Sequence, residues 1–367
     1  MSLLVSIRSL APTIAAGILL WCVCAGPVSA AENTPVSAVH KAITGFVLPA
    51  HETLSQQASA LKEQIGRLCM TPSSDALDDV RATFGDTVVA MAAVNIVRIG
   101  PVLENNRLEK LFFWPDRRGI GLRQIQAIIA KQDPTATDPA RLAGKSVAVQ
   151  GLTALEFVLY GDGAETLAQI PDGYRCRLAL AISTNIDGIA GDLLTAWKAS
   201  EGFAYAWQHP GPDNAAFRDE KEALSALVSL FSNGMEYYDT IELGSFLGVT
   251  PERDRPRRAL FRRSGNTLRF LQAGLKNFRQ FYEKSELASQ LPDGSAWIDD
   301  AIVFGFRHGI AGIESLSGTA AELIEDPQQR SRLVFVRTVV RGLGENFGID
   351  MTAALDLTAN FSSLDGD

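Results

Sequence analysis

What most constrains this chain is a helical repeat of apolar residues that recurs along nearly its whole length, with almost no hairpin signal between repeats. From Asp172 to about Ser200, Leu178, Ile182, Ile186, Ile189, Leu193 and Trp197 recur at the three- and four-residue steps that put them on one helix face. The same period predicts helices over 36–69, from Ser73 or Ser74 to Gly100-Pro101, and over 119–132, 145–160, 215–243, 264–287, 296–325 and 328–345. Pro49 removes a backbone donor and should bend or interrupt the first of these. Ser73 or Ser74 and Asp172 have side chains that can accept an orphan N–H at a helix start. Strands have no comparable support, so the expected fold class is all-α. Gly202, Pro210, Gly211 and Pro212 crowd the stretch 202–214, the natural boundary between residues 31–201 and 215–367. Each half offers about four substantial helices, which predicts two helical bundles packed side by side.

Residues 1–30 read as a signal peptide rather than as part of the fold. Arg8 supplies a positive start, Ile14 to Cys24 an apolar stretch, and Val28-Ser29-Ala30 a small-residue cleavage site. The apolar run is broken by Pro12 and Thr13 and is shorter than the roughly 18 to 20 residues a membrane span needs. Cys22 or Cys24 would suit a lipid anchor, but Trp21 and Val23 stand where a small residue should precede a lipidated Cys. The expectation is a soluble periplasmic protein with no membrane span after cleavage. The full chain has 34 Lys and Arg against 42 Asp and Glu; cleavage removes Arg8 alone, so the mature charge is 33 − 42 = −9. That balance argues against nucleic acid as a partner, because such binding rests on clustered cations facing phosphates. Cys69 and Cys176 are the two cysteines left. An oxidising compartment favours a disulfide between them, with two separate buried thiols as the alternative.

Residues 145–160 carry one carboxylate, Glu156, in an apolar helix, and Thr153 lies three residues earlier on the same face. A buried carboxylate is costly unless a metal, an arginine or backbone donors meet it, or it keeps its proton. A helix-edge Glu156 paired with Arg123 or Arg107 is the plainer reading. His51 is the histidine best placed for a cleft, because it follows Pro49 at a helix start; His308 reads as a core residue sharing a face with Trp297 and Phe304. The stretch from Asn105 to Gly119 packs charges among aromatics, including Arg107, Trp114 and Asp116; a loop pinned by Arg–Asp pairs is the plainer reading, and the lining of an anion or substrate cleft is the alternative. Arg253, Arg255, Arg257, Arg258, Arg262 and Arg263 read as a solvated connection, with a phosphate or partner site as the alternative. There is no His-Glu-x-x-His spacing, no Gly-x-Ser-x-Gly elbow and no glycine-rich phosphate loop after a strand.

Phe113-Trp114-Pro115-Asp116-Arg117-Arg118-Gly119-Ile120-Gly121-Leu122-Arg123-Gln124, Gly151 to Glu156, Glu242-Leu243-Gly244-Ser245-Phe246-Leu247-Gly248 and Asn360 to Asp367 together resemble landmarks of the imelysin-like family of exported bacterial proteins. The resemblance spans the mature chain and implies an all-helical fold of two bundle-like domains, often associated with iron acquisition. It also implies a metallopeptidase label, attached to a Gly-x-His-x-x-Glu motif; Gly151 and Glu156 match it, while Thr153 occupies the His position. The expectation is therefore a protein that binds a ligand or metal without hydrolysis, at a cleft near Gly151, Thr153 and Glu156 framed by His51, Arg107, Asp116 and Arg123. If a metal is held, iron or zinc on Glu156 and His51 is the expected arrangement, and envelope iron-transport components are the expected partners. A metal-dependent peptidase using Glu156 with His51, and a structural interaction module of the envelope, are the alternatives.

Overall fold

Helix periodicity is realised throughout: the computed structural model, which describes Ser2 and residues 34–358, is all-α, with no strand among the described residues. The expected signal peptide and the Asn360 to Asp367 landmark lie outside the described residues. Residues 34–358 belong to one compact unit.

The chain opens with α1 (Pro35–Ala42), a π-helical turn over Ile43–Val47, and α2 (Leu48–Met70). The wide turn sits where the sequence calls for an interruption, because Pro49 has no N–H to give to the carbonyl one turn back. Ser73 Oγ accepts the Ala76 N–H at 3.1 Å and starts α3 (Ser74–Val94). Two short helices and one longer one follow, α4 (Arg107–Leu111), α5 (Ile120–Lys131) and α6 (Pro139–Leu142). The helix expected over 145–160 is instead two pieces, a 3-10 turn at Val147–Val149 and α7 (Leu152–Tyr160). Gly151 divides them in an extended conformation, and a side chain there would meet the Lys110 and Leu111 carbonyl oxygens at 2.4 Å. The main chain of α4 therefore lies directly against the start of α7, and only glycine allows it.

Helix α8 (Tyr174–Lys198) buries the predicted stripe from Leu178 to Trp197. Asp172 does not cap it; it takes a left-handed φ of 48°, gives its N–H to Cys69 O at 2.9 Å, and leaves Gly173 as the cap. The Cys69–Cys176 disulfide joins the end of α2 to the start of α8, with a Cα–Cα distance of 5.5 Å. The 202–214 stretch is not an empty linker. It contains α9 (Phe203–Gln208), whose Trp207 is fully buried and donates to Ala223 O at 2.9 Å.

The second half contains α10 (Glu220–Tyr237), a π-helical turn over Tyr238–Leu243, α11 (Thr267–Ser285), α12 (Ala296–Glu314), α13 (Ala320–Glu325), α14 (Pro327–Glu345) and α15 (Thr352–Ala354). The single helix expected over 296–325 breaks between α12 and α13, where Gly318 has a φ of 99° and Thr319 forms a capping box with Glu322. His308 is also not in the core. Its neighbours Trp297 and Phe304 are 54% and 56% exposed, while α12 buries Ile298, Ile302, Phe306 and Ile313.

Helices α2, α3 and α8 pack together, and α10, α11, α12 and α14 form a second group. This is compatible with two bundles side by side, but they share elements. Helix α1 belongs to the α2 rod yet packs on α10 and α11, and α3 packs on α11. The loop joining α10 to α11 crosses back to α7, and that crossing makes the site.

Candidate functional site

The loop between the Tyr238–Leu243 turn and α11 folds back because apolar side chains anchor it. Phe261 is 1% exposed and its ring lies within 6.0 Å, centroid to centroid, of Phe84, Phe112 and Phe270. Its φ of 54° is left-handed, an unfavourable conformation for a bulky residue that the surrounding aromatics stabilise. Phe261 O then accepts the Asn266 N–H at 3.0 Å, closing a tight turn that leaves Ser264 Oγ 3.0 Å from the same carbonyl oxygen. The turn points the Ser264 N–H and O–H at α7.

Glu156 receives them. Its Oε1 accepts from the Ser264 N–H at 2.9 Å and from the Ser264 hydroxyl at 2.9 Å, and the residue is 4% exposed. Burial pushes its pKa upward; the Ser264 hydrogen bonds and the positive charges of Arg263 and Arg262 oppose that shift. The expected partners Arg123 and Arg107 do not reach it. Arg123 donates to Arg118 O at 2.6 Å on the surface, and Arg107 holds Pro101 O at 3.0 Å and Glu104 at 3.1 Å.

A cleft with a cavity volume of about 80 Å³ opens beside Glu156. Thr153, Ala154, Glu156 and Phe157 of α7 form one wall, and Arg257, Leu260, Arg262 and Arg263 the opposite one. Phe113, Trp114, Asp116, Leu122 and Ile125 complete it. Thr153 and Glu156 do share a face, as their spacing requires. The Thr153 hydroxyl donates to Phe113 O at 3.4 Å, so it holds the aromatic loop instead of taking the place of an imidazole. Asp116 lines the cleft as a structural residue: its two oxygens accept the N–H groups of Ile120, Gly121 and Leu122 at 2.7, 3.0 and 3.3 Å and cap α5.

His51, Arg107 and Arg123 are not among the lining residues, which corrects the frame expected from the sequence. His51 is 1% exposed inside α2, donates its Nδ1–H to Val47 O at 2.9 Å, and packs on Trp197 with centroids 5.6 Å apart. Burial lowers its pKa to about 4, so it is a neutral core histidine at ordinary pH. Glu156 and His51 therefore do not share a metal site. Among the described residues, no three His, Cys, Asp or Glu side chains stand together in a way that could hold a metal. The donors around Glu156 do not fit a metal either. One oxygen is taken by Ser264, and the nearest charges are guanidinium groups that repel a cation.

Sequence reading undervalued the arginines. Arg257, Arg262 and Arg263 belong to a run whose leading reading is a solvated connection, with a phosphate or partner site as the alternative, and all three line the cleft. The available signal was the apolar Ala259-Leu260-Phe261 between them, which a free surface connection has no reason to carry. A second buried carboxyl, Glu242, lies on the Tyr238–Leu243 turn. Burial pushes its pKa up to about 7, against the positive charge of Arg98 and a 2.9 Å hydrogen bond from Asn95.

Comparison with known proteins bears on this geometry. The family model described as Imelysin matches residues 47–339. Solved structures share the fold, among them these two. One is an imelysin-like protein from Psychrobacter arcticum 273-4, 16% identical, covering 89% of this chain and 97% of that one with a TM-score of 0.73. The other, assigned as an iron-regulated protein A precursor from Parabacteroides distasonis ATCC 8503, is 15% identical, covering 87% of this chain and 95% of that one with a TM-score of 0.70. No curated protein matches. At these identities the structural likeness is one of fold.

Proposed function

The chain belongs to the imelysin family, and from that premise we propose that it is an exported, non-catalytic member that binds a small ligand in the cleft between α7 and the loop before α11. The observation that carries this reading is the state of Glu156. A hydrolytic metal centre needs its carboxylate free to ligate the ion or to take a proton from water. Here Ser264 occupies one oxygen, arginines surround the group, and Thr153 stands at the motif position of the histidine. The same arrangement suits a binding pocket, with a buried polar group at the base and apolar walls around it.

The link to iron rests on the family and on the Parabacteroides protein assigned as iron-regulated. We place the protein in the periplasm, working beside envelope components of iron transport. No helix among the described residues is long and apolar enough to cross a membrane. The test is elemental analysis and a peptide-hydrolysis assay on mature protein purified without chelators from iron-replete cells, with protein levels compared under iron limitation. Metal-free, inactive protein whose level changes with iron supply is expected. Stoichiometric iron or zinc that disappears in Glu156→Ala, or hydrolysis abolished by that substitution, would overturn the proposal.

A further inference from the structure

The cleft has an imbalance of hydrogen-bonding groups. Its two carboxylates are largely engaged: Asp116 accepts three backbone N–H groups through both oxygens, and Glu156 accepts twice from Ser264 through Oε1. Its donors are not. Among the described residues, Arg257, Arg262 and Arg263 make no hydrogen bond and no close ion pair; Arg263 instead lies over the Phe157 ring at 5.3 Å. The Trp114 indole N–H is buried and has no acceptor. The buried Trp114 donor without a partner is unfavourable, and the half-buried Arg262 and Arg263 and the exposed Arg257 present further donors that the protein does not use, so this lining suits an incoming acceptor.

We propose that the cleft binds the carboxylate group of a small organic acid, held by the guanidinium groups of Arg262 and Arg263, by Arg257 at the mouth and by the Trp114 indole N–H. This rests on the ligand-binding reading above and names its ligand class. The charge pattern excludes a bare cation, because three guanidinium groups face the space. Burial together with the like charges of Arg263 and Arg257 pushes the Arg262 pKa below its ordinary range, and the charge of Glu156 offsets this only in part. Guanidinium forks match the flat two-oxygen edge of a carboxylate. The rest of the lining favours an organic acid over inorganic phosphate. Leu122, Ile125, Ala154, Phe157 and Leu260 offer apolar contact to a short carbon chain, which inorganic phosphate lacks.

Glu156 fits the same picture. Its Oε2 accepts no hydrogen bond from the described residues, and burial favours its protonated form. A protonated Glu156 donates its O–H to the incoming carboxylate, whereas an ionised one repels it. Binding should therefore weaken as pH rises through the Glu156 titration. The charged groups acting on that titration are Arg262 and Arg263 from the loop, and Ser264 supplies the hydrogen bonds.

The test is calorimetric titration of the mature chain, disulfide intact, with butyrate, succinate and inorganic phosphate at constant ionic strength. Saturable binding of at least one of the two carboxylates is expected, tighter than that of phosphate by about tenfold or more. Arg262→Gln or Arg263→Gln should each weaken it by about tenfold or more. Arg262→Lys keeps the charge and loses the fork, so it guards against a folding artefact and should give an intermediate loss. No saturable carboxylate binding at millimolar concentration, phosphate binding as tightly, or affinity unchanged in the double Gln variant would each overturn the proposal. An amine probe, putrescine, separates the two readings. Putrescine binding that Glu156→Gln removes refutes the carboxylate and leaves a binding cleft, whereas metal or hydrolysis at Glu156 refutes the binding role itself.

Discussion

Glu242→Gln gives the most direct check on how this fold holds its buried charges. Glu242 is fully enclosed, with Asn95 donating to Oε1 at 2.9 Å and Oε2 left without a partner. Tyr237 and Tyr238 adjoin it, and Arg98 is the charged group facing it, lying 3.5 Å from the Tyr237 ring centroid. Its pKa rises from 4.5 to about 7, chiefly through burial. The unfolded chain releases this proton near 4.5 and the folded chain holds it until about 7. Between those values the folded state carries more protons, so stability falls as pH rises. At roughly 1.4 kcal/mol for each pH unit the total is about 3 kcal/mol. A glutamine keeps the acceptor for Asn95 and cannot ionise. The stability of Glu242→Gln relative to the parent should therefore increase by about 3 kcal/mol between pH 4.5 and pH 8, whatever its offset at the acid end. With an unfolding entropy of about 0.7 kcal/mol/K for a body of this size, the corresponding change in relative Tm is about 5 °C. Urea denaturation followed by far-ultraviolet circular dichroism at pH 4.5, 6 and 8 measures the difference directly. Parallel pH profiles for the two proteins would show that Glu242 is ionised without penalty, and the account of its burial would fail.

Three further outcomes follow from the same structure. His51, with its pKa lowered from 6.5 to about 4, contributes in the opposite sense: stability is lost as pH falls from 6.5 towards 4, and His51→Asn should flatten that acid limb by about 3 kcal/mol in the same denaturation series. Replacing both Cys69 and Cys176 by Ser opens a loop spanning a sequence separation of 107 residues, which in the chain-entropy treatment costs about 5 kcal/mol; thermal melts within a degree or two of the parent would contradict it. Gly151→Ala places a methyl 2.4 Å from two main-chain carbonyl oxygens that cannot swing aside, so a loss of about 1 to 3 kcal/mol is expected in a urea titration, and an unchanged midpoint would mean the α4–α7 approach is looser than described.

Much of the fold is legible in local pattern because a helix records its buried face every three or four residues. The stripe of α8, the Ser73 cap and the interruption near Pro49 all follow from spacing and from what each side chain can donate or accept. Where two chain segments touch, local pattern is silent. The break at Gly151 exists because α4 lies against it, and the sequence of 145–160 reads as one helix without that neighbour. On α12 two apolar faces compete, and the aromatic one with Trp297 and Phe304 lost to Ile298, Ile302 and Phe306 only because the latter meets the other helices.

The candidate site divides along the same line. Sequence by itself determined that Thr153 and Glu156 share a helix face, that the motif lacks its histidine, and that a carboxylate in so apolar a helix needs a partner. Tertiary structure alone decided what that partner is. Ser264 and the arginines beside it stand about a hundred residues away in the chain, and they reach Glu156 because Phe261 is seated among Phe84, Phe112 and Phe270. Burial of an aromatic ring is favourable wherever a matching cavity exists, so it can draw a charged loop onto a distant helix. No periodicity in the loop itself encodes which helix that will be.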